Sequence, residues 1–183
     1  RIISEIEFAA QSTSATLIGI TGTNGKTTTT MMTYEILKNA GLNVGLAGNI
    51  GSSFAKQVAE EDYEFYVLEI SSFQLDDIDQ FAPHIALITN ITPDHLDRYD
   101  YSFEAYIQAK LKITKNQSSK NFFLFNADDE ILVSALKDHK TNAQTVSFGS
   151  NPTETTGSYL KDNQLILKNQ KKTTMIQSVE FPF

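Results

Sequence analysis

The fold of this chain is decided by the stretch Thr21-Gly22-Thr23-Asn24-Gly25-Lys26-Thr27-Thr28. An apolar run, 17–20, precedes it, and a segment with helical periodicity follows it. Glycines let a backbone turn tightly and bring its N–H groups close to an anion, and the following helix adds the positive end of its dipole. The order of strand, glycine loop and helix therefore predicts a phosphate-binding loop.

Two side chains of this loop have the chemistry that a nucleotide needs. Lys26 places a point charge on the outer phosphates, and Thr27 offers a hydroxyl to a magnesium ion. The pattern is a short Gly-x-x-Gly-Lys-Thr, because Ile20 stands where the longer consensus has its first glycine. A plain glycine turn is the alternative. Since all parts occur in register, we predict ATP contacts from Gly22, Thr23, Asn24, Gly25, Lys26, Thr27 and Thr28.

Composition restricts the classes of protein to consider. The chain has 183 residues, a formal net charge of −7 and 40% hydrophobic residues, which is typical of a globular domain. The acidic balance argues against a broad nucleic-acid surface, and the lack of cysteine excludes disulfides and thiolate metal sites. No apolar run is long enough to span a membrane, and no signal peptide is visible. We therefore expect a cytoplasmic protein without nucleic-acid or membrane partners.

Strand-like and helix-like segments alternate along the chain. Apolar strands are predicted at 17–20, 44–47, 65–69, 85–89, 122–125 and 145–148, and helices at 27–40, 53–59, 102–115 and 129–138. On the first helix, Met32, Ile36, Leu37 and Ala40 fall near one face. Because the strands are apolar rather than alternating, they indicate an α/β fold with a mostly parallel sheet and helices on both faces.

The two ends of the chain differ from this pattern. After Gly149, turn residues punctuate short apolar runs, which predicts a small antiparallel β appendage in about residues 150–183. The chain starts with Arg1 and stops at Phe183, and both ends look cut. We expect a piece of a longer protein, with a linker remnant in residues 1–15 and one domain in residues 16–183.

Polar residues follow four predicted strands at their carboxyl ends, where open parallel sheets bind ligands. The phosphate loop follows the first strand, 48–51 the second, 69–74 the third and 90–99 the fourth. Glu69 is the acid expected beside a phosphate loop, because magnesium prefers oxygen ligands. A helix-capping or solvated acid is the alternative. The four loops are predicted to converge on one edge of the sheet.

Several other polar residues leave two readings open. His95 follows a strand's carboxyl end in an acidic loop, although a lone loop histidine is usually solvated. Arg98 either clamps an anionic group or pairs with Asp94 or Asp97. Residues 126–129 also end a strand, and we favour a helix cap there. The remaining histidines are interpreted as structural: His84 and His139.

Helical periodicity singles out Lys110 as an unusual residue. The apolar stripe of its helix consists of Phe103, Tyr106, Ile107 and Leu111. At 3.6 residues per turn Lys110 falls inside that stripe, whereas Lys112 lies away from its centre. An inward lysine is unfavourable unless it is paired, snorkels to the surface or is chemically altered. The pattern does not decide between a snorkelling and a functional lysine.

Together these motifs resemble the Mur ligase family in order and spacing. The matching runs are 21–28, 48–51, 69–75, 90–99 and 109–111. The resemblance covers the chain through about Gly149, and the appendage more loosely. It implies a central ATP-binding domain whose N-terminal and C-terminal partner domains are absent from this sequence.

The runs Ser71-Ser72-Phe73-Gln74-Leu75 and 94–99 look most like the member that joins D-glutamate to UDP-N-acetylmuramoyl-L-alanine. That reaction, part of peptidoglycan precursor synthesis, cleaves ATP to ADP and phosphate. The substrate carboxylate becomes an acyl phosphate, and the amine of D-glutamate then displaces phosphate. The fragment alone, which lacks two substrate-binding domains, is expected to be inactive.

The resemblance also implies roles for individual residues. The implied catalytic set is Lys26, Glu69, His95 and Lys110. Thr27 and Glu69 hold one magnesium ion, and Glu69, His95 and a carbamylated Lys110 are associated with a second. The implied substrate contacts are Asn49 and Ser71, to which we add Arg98 as a clamp for an anionic group.

Two other functions remain open at this stage. A related ligase, either another Mur-type enzyme or a folylpolyglutamate synthase, shares the phosphate loop and the histidine. A nucleotide-binding switch without ligase chemistry is the second, although the chain lacks the Asn-Lys-x-Asp motif with which a GTPase reads its base.

Overall fold

The structure, a computed structural model, describes residues 2–151, 156–161, 164–168 and 172–176. Its helices are α1 (Glu5–Ala10), α2 (Lys26–Asn39), α3 (Phe54–Glu60), α4 (Ser72–Asp76), α5 (Phe103–Leu111) and α6 (Glu130–Leu136), with 3₁₀ turns at Leu96–Tyr99 and Lys112–Thr114. Its strands are β1 (Thr16–Thr21), β2 (Val44–Gly48), β3 (Phe65–Glu69), β4 (Ile85–Ile88), β5 (Phe122–Asn126), β6 (Gln144–Gly149), β7 (Gly157–Lys161), β8 (Gln164–Lys168) and β9 (Thr173–Ile176). None of the described helices is long and apolar enough to cross a membrane.

The described strands form one sheet in the order β2-β3-β1-β4-β5-β6-β7-β8-β9. Pairing is parallel from β2 through β7 and antiparallel between β7, β8 and β9. This confirms the predicted α/β fold and its antiparallel appendage, of which residues 152–155, 162–163, 169–171 and 177–183 lie outside the described residues. Strand order changes direction between β1 and β4, which creates a ligand crevice at the carboxyl end of β1.

Helices cover both faces of the sheet. The larger core contains Ile6, Phe54, Leu75, Ile107 and Leu132 from five helices and packs against strand residues such as those of β3 and β4. The smaller core lies under α2 and is centred on the strand residues Ile18, Ile20, Val44 and Val67. These two layers fix the positions of the strand ends, and therefore of the loops that follow them.

Helix α2 buries a different face from the one its apolar residues suggested. Met32 is 52% exposed and Ile36 65% exposed, whereas Thr30 is fully buried. Tyr34 and Leu37 complete the inner face and pack on the smaller core. The spacing of residues 30, 34 and 37 is itself helical, so these three residues share one face of α2.

The segment interpreted as a linker remnant contains a packed helix. Ile6 and Ala9 of α1 are buried in the larger core. The buried carboxylate of Glu7 accepts hydrogen bonds from the backbone N–H groups of residues 79–81 at 2.8 to 3.1 Å. The segment is thus held firmly on the domain, and the boundary at residue 15 stays a prediction.

Candidate active site

The phosphate loop adopts a backbone that depends on two glycines. Gly22 has a φ of 144°, and a Cβ there would collide with Oγ1 of Thr89. Gly25 has a φ of 76° and caps the start of α2, a conformation that side chains other than glycine rarely adopt. The helix therefore begins directly at Lys26, so its first N–H groups lie at the loop where an anion would bind.

Two lysines lie against the carbonyl groups of this loop. Nζ of Lys26 donates to the carbonyl oxygen of Thr23 at 2.9 Å, and Nζ of Lys110 donates to that of Gly22 at 2.8 Å. One lysine comes from the loop itself, and the other comes from α5. Because they meet neighbouring residues of one loop, the two nitrogens lie close to the place where a triphosphate would carry its negative charge.

Glu69 lies at the carboxyl end of β3, and only 1% of it is exposed. Its carboxylate accepts hydrogen bonds from the hydroxyl of Thr27 and from the side-chain amide of Asn49, both at 2.7 Å. The backbone N–H of Asn49 also donates to the carbonyl oxygen of Glu69 at 2.8 Å. Gly48 has a φ of 100°, and a Cβ there would collide with that carbonyl, so glycine allows β2 to approach this closely.

A cavity of about 180 Å³ opens beside these groups. Ser71 lies at its wall as the N-cap of α4, where its hydroxyl accepts from the backbone N–H of Gln74. His95 enters from the loop after β4, has a φ of 49°, and packs edge-on against the ring of Phe73. The residues lining the cavity are Lys26, Asn49, Ser71, Ser72, Phe73, Asp94, His95, Tyr106 and Lys110.

A second cavity, of about 580 Å³, lies between α5 and α6 and is larger. It is lined by residues of α5 and α6, such as Ile107 and Ser134, and by His139 in the loop after α6, and no loop from the carboxyl end of a strand reaches it. We assign the candidate site to the smaller cavity because the phosphate loop and the residues near Glu69 converge there.

Lys110 points inward and is only 2% exposed, as its place in the apolar stripe predicted. Its Nζ lies 4.6 Å from the centre of the Tyr106 ring. Burial, followed by the nearby charge of Lys26, lowers the pKa of Lys110 to about 7, against a smaller opposing effect of Asp94. A large fraction of this amine is therefore neutral near pH 7, which makes it a nucleophile.

The oxygen groups at the end of β3 have the chemistry of a magnesium site. Among the described residues, no group of three or more histidine, cysteine or acidic side chains converges as a ready-made metal cage. Magnesium typically uses one or two carboxylates together with waters and phosphate oxygens. Glu69 and the adjoining hydroxyl of Thr27 supply that kind of partial set, so these residues fit a magnesium ion that arrives with a nucleotide.

The predicted site residues thus fall into two groups. Lys26, Asn49, Ser71, His95 and Lys110 line one cavity, and the Thr27–Glu69 pair is connected to it through Asn49. Other residues lie outside the lining: Thr28 is exposed on α2, and Arg98 stacks over the ring of Phe73 with its Cζ 4.5 Å from the ring centre. The roles assigned to all of these residues stay predictions.

Among the described residues, Arg98 forms no ion pair with Asp94 or Asp97, the two partners that the sequence suggested. Oδ2 of Asp94 instead lies 3.6 Å from Nε2 of His95.

The histidines interpreted as structural do occupy structural positions. Nδ1 of His84 accepts from the backbone of Leu17, and Nε2 of His139 bonds to the hydroxyl of Thr114.

The sequence predicted that the loop after β4 lies at this edge, but it gave no role to the part of that loop that touches the phosphate loop. Thr89, Asn90 and Thr92 all bond to Thr23 or Asn24. The available signal was that Asn90 directly follows a strand that was itself predicted. That β4 lies beside β1 could not be read from the chain, because strand order is a tertiary property.

The chain is similar to known proteins along nearly its whole length. The family model described as Mur ligase middle domain matches residues 20–182. The UDP-N-acetylmuramoylalanine–D-glutamate ligase of Christiangramia forsetii is 46% identical over 95% of this chain and 39% of its own length. That of Bacteroides fragilis is 52% identical over 91% of this chain and 37% of its own length.

Among solved structures, the MurF ligase of Thermotoga maritima in complex with ADP matches with a TM-score of 0.68 and 22% identity. The match covers 94% of this chain and 43% of that one, and it shows a shared fold. The chain spans 37% to 39% of the length of the two curated relatives. With a matching family model over residues 20–182 and relatives at this identity, the chain belongs to the Mur ligase family, as its middle domain.

Proposed function

We propose that the full-length protein containing this chain adds D-glutamate to UDP-N-acetylmuramoyl-L-alanine, with cleavage of ATP to ADP and phosphate. The observation that carries the proposal is the convergence of the phosphate loop, Glu69 and the buried amine of Lys110 at one rim of the sheet. The ligases of that name at 46% and 52% identity support the choice of substrates.

The physical problem of this reaction is to bring an anionic carboxylate to an anionic triphosphate. Lys26, whose ammonium group donates to the Thr23 carbonyl in this structure, reduces that repulsion by turning to the phosphates. The N–H groups at the start of α2 bind phosphate oxygens. Thr27 and Glu69 would hold one magnesium ion, and Glu69, His95 and a carbamylated Lys110 would hold a second; the ions would supply charge neutralisation.

The cavity accommodates the group that reacts. Asn49 and Ser71 present an amide and a hydroxyl at its wall for the muramoyl substrate. Arg98, stacked on Phe73 at the edge of the site, offers a guanidinium to an anionic group of a substrate. The carboxylate then attacks the γ-phosphate to form an acyl phosphate, and the amine of D-glutamate displaces phosphate from the carbonyl carbon.

Lys110 acts in this proposal as a carbamate. Its neutral amine forms a bond to the carbon of CO₂, one C=O π pair moves onto oxygen, and one proton passes from the nitrogen to water, so that the product is an anion that resembles a carboxylate. The pKa of about 7 makes the neutral amine available, and carbamylation places an anion beside the ammonium group of Lys26. In ¹³C-bicarbonate the full-length protein should give one carbamate signal that Lys110→Met lacks. An unmodified amine in wild-type protein saturated with bicarbonate would remove this part of the proposal.

The function is tested by ADP release from the full-length protein. Release should require both UDP-N-acetylmuramoyl-L-alanine and D-glutamate, and other amino acids should not replace the latter. Activity with another amino acid would indicate a related ligase, and nucleotide-driven ordering without substrate-dependent turnover would indicate a switch. Lys26→Ala should remove most triphosphate affinity, whereas Lys112→Ala, whose lysine pairs with Asp76, should retain it.

A further inference from the structure

The segment Thr89–Thr92, which follows β4, holds the phosphate loop at Asn24. Oδ1 of Asn90 accepts from the backbone N–H of Asn24 at 2.8 Å, and Nδ2 of Asn90 donates to the carbonyl of Asn24 at 2.9 Å. The hydroxyl of Thr89 donates to the same carbonyl at 2.8 Å. One side-chain amide therefore satisfies both backbone groups of Asn24, as a neighbouring strand would.

The same segment fixes the residue before it in the loop. The backbone N–H of Thr23 donates to the carbonyl of Asn90 at 2.9 Å. The hydroxyl of Thr23 donates to the carbonyl of Thr92 at 3.1 Å and accepts from the N–H of Thr92 at 3.0 Å. Tyr106 completes its bonds, with the two hydroxyl oxygens 3.1 Å apart. The shape of the loop is thus set by contacts that involve no ligand.

The segment after β4 is in turn fixed to a rigid element. One carboxylate oxygen of Asp129 accepts from the backbone N–H of Ile91 at 2.6 Å, and the other caps α6 by accepting from the N–H of Leu132 at 2.9 Å. A continuous series of hydrogen bonds therefore runs from the start of α6 through the β4 loop to Asn24.

We propose that Asn90 is a positioning residue, which holds the phosphate loop in its binding conformation before the nucleotide arrives and does not touch the nucleotide. The inference rests on the nucleotide-binding part of the proposed function. Since both backbone groups of Asn24 are already bonded to Asn90, the phosphates are met by the N–H groups from Gly25 onward. A loop that is ordered in advance loses less entropy on binding, which raises affinity.

The test compares two asparagines in the full-length protein by calorimetric titration with ADP and by steady-state kinetics. Asn90→Ala should raise the Kd for ADP and the KM for ATP about tenfold, because the loop loses both bonds at Asn24. The control is Asn116→Ala. Asn116 also braces a loop, donating to the carbonyls of Asp79 and Phe81 at 2.8 and 3.1 Å, but it lines no part of the site. Asn116→Ala should lower Tm while changing the Kd for ADP by less than about twofold.

Hydrogen exchange in the nucleotide-free wild type provides a measurement that needs no variant. The amide of Asn24 should be protected in that state, and Asn90→Ala should expose it. Wild-type affinity in a folded Asn90→Ala, equal losses in both variants, or rapid exchange of the Asn24 amide in the wild type would each overturn the proposal. Absence of ADP binding by the wild type would instead refute the proposed function, and exchange at Asn24 would still report on the loop.

Discussion

Glu7 and Lys110 are both buried charged residues, with 0% and 2% exposure, and their surroundings differ sharply. The Glu7 carboxylate accepts from three backbone N–H groups, of residues 79–81, and from the side-chain amide of Gln11 at 2.7 Å. Within the part of the chain that the structure describes, Lys110 has one hydrogen bond, to the carbonyl of Gly22, and lies against the face of the Tyr106 ring. One charge is compensated by the fold, and the other is compensated only in part.

The pKa directions express this difference. Burial alone raises the pKa of Glu7, but hydrogen bonds from Asp79, Phe81, Gln11 and Gln80 together outweigh it and leave the pKa below its ordinary value. For Lys110, burial and the charge of Lys26 act in the same direction and lower the pKa to about 7. A buried charge with a full set of partners stabilises a fold, whereas a poorly compensated one beside a cavity marks a reactive group.

The largest expected effect comes from Lys110→Met, which keeps the length and apolar stem of the side chain but removes its nitrogen. Turnover of the full-length protein should fall by about 10²–10³-fold, as when an active site loses one electrostatic group. Thermal unfolding should show no loss of stability, because the variant removes a buried polar nitrogen with few partners and keeps the apolar stem of the side chain. ADP release measures turnover and calorimetry measures stability. Turnover within tenfold of wild type would contradict the view that Lys110, unlike Glu7, is a reactive group.

Glu7→Gln should have the opposite effects: a loss of stability without a loss of activity. A glutamine offers one oxygen to the backbone donors and points its NH₂ group at others, so the free energy of unfolding should fall by about 3 kcal/mol at pH 7. The kcat of the full-length protein should stay unchanged, because Glu7 lies outside the cavity. Urea unfolding measures the first quantity. A loss of kcat at wild-type stability would give Glu7 a functional role instead.

We also expect the effect of Glu7→Gln on the free energy of unfolding to depend on pH in acid. Because the folded pKa of Glu7 is depressed, its contribution is fully present above the ordinary value of 4.5 and is lost as pH falls through the folded value. The difference in unfolding free energy between wild type and Glu7→Gln should therefore shrink below pH 4.5. A difference that stays constant into strong acid would show that the loss is one of packing.

The buried amine of Lys110 should make the free energy of unfolding depend on pH in the alkaline range, whereas Glu7 does so in acid. Between pH 7 and 10.5 the unfolded chain binds a proton at Lys110 that the folded chain has released. Over this window the wild type should gain about 1 kcal/mol of stability per pH unit relative to Lys110→Met. Urea unfolding of both proteins at pH 7, 8 and 9 in bicarbonate-free buffer, in which Lys110 keeps its free amine, measures the slope. A flat difference would mean that the amine stays protonated in the fold.

The two residues also show what the sequence can and cannot reveal. Lys110 stands out because it interrupts an apolar helical stripe, and that local signal placed it on the inner face of its helix, where the structure buries it. Glu7 carries no such signal, because its partners lie 72 to 74 positions away in the chain. The same reason hid the Asn90–Asn24 contact, 66 positions apart. The regular succession of apolar strands and helices along the chain predicted the sheet. The exposed side chains of Met32 and Ile36 show that apolar residues alone do not predict which face of a helix is buried.

The smallest effect is expected at Lys112, which is the sequence neighbour that best controls for Lys110. Its Nζ lies 2.7 Å from Oδ1 of Asp76, and both side chains are partly exposed, at 39% and 30%. Solvent-screened pairs of this kind contribute little, so Lys112→Ala should cost less than about 1 kcal/mol of unfolding free energy. ADP affinity and turnover should match the wild type, because Lys112 lines no part of the cavity. If Lys112→Ala lost as much activity as Lys110→Met, charge near the helix end in general, and not the burial of one amine, would explain both.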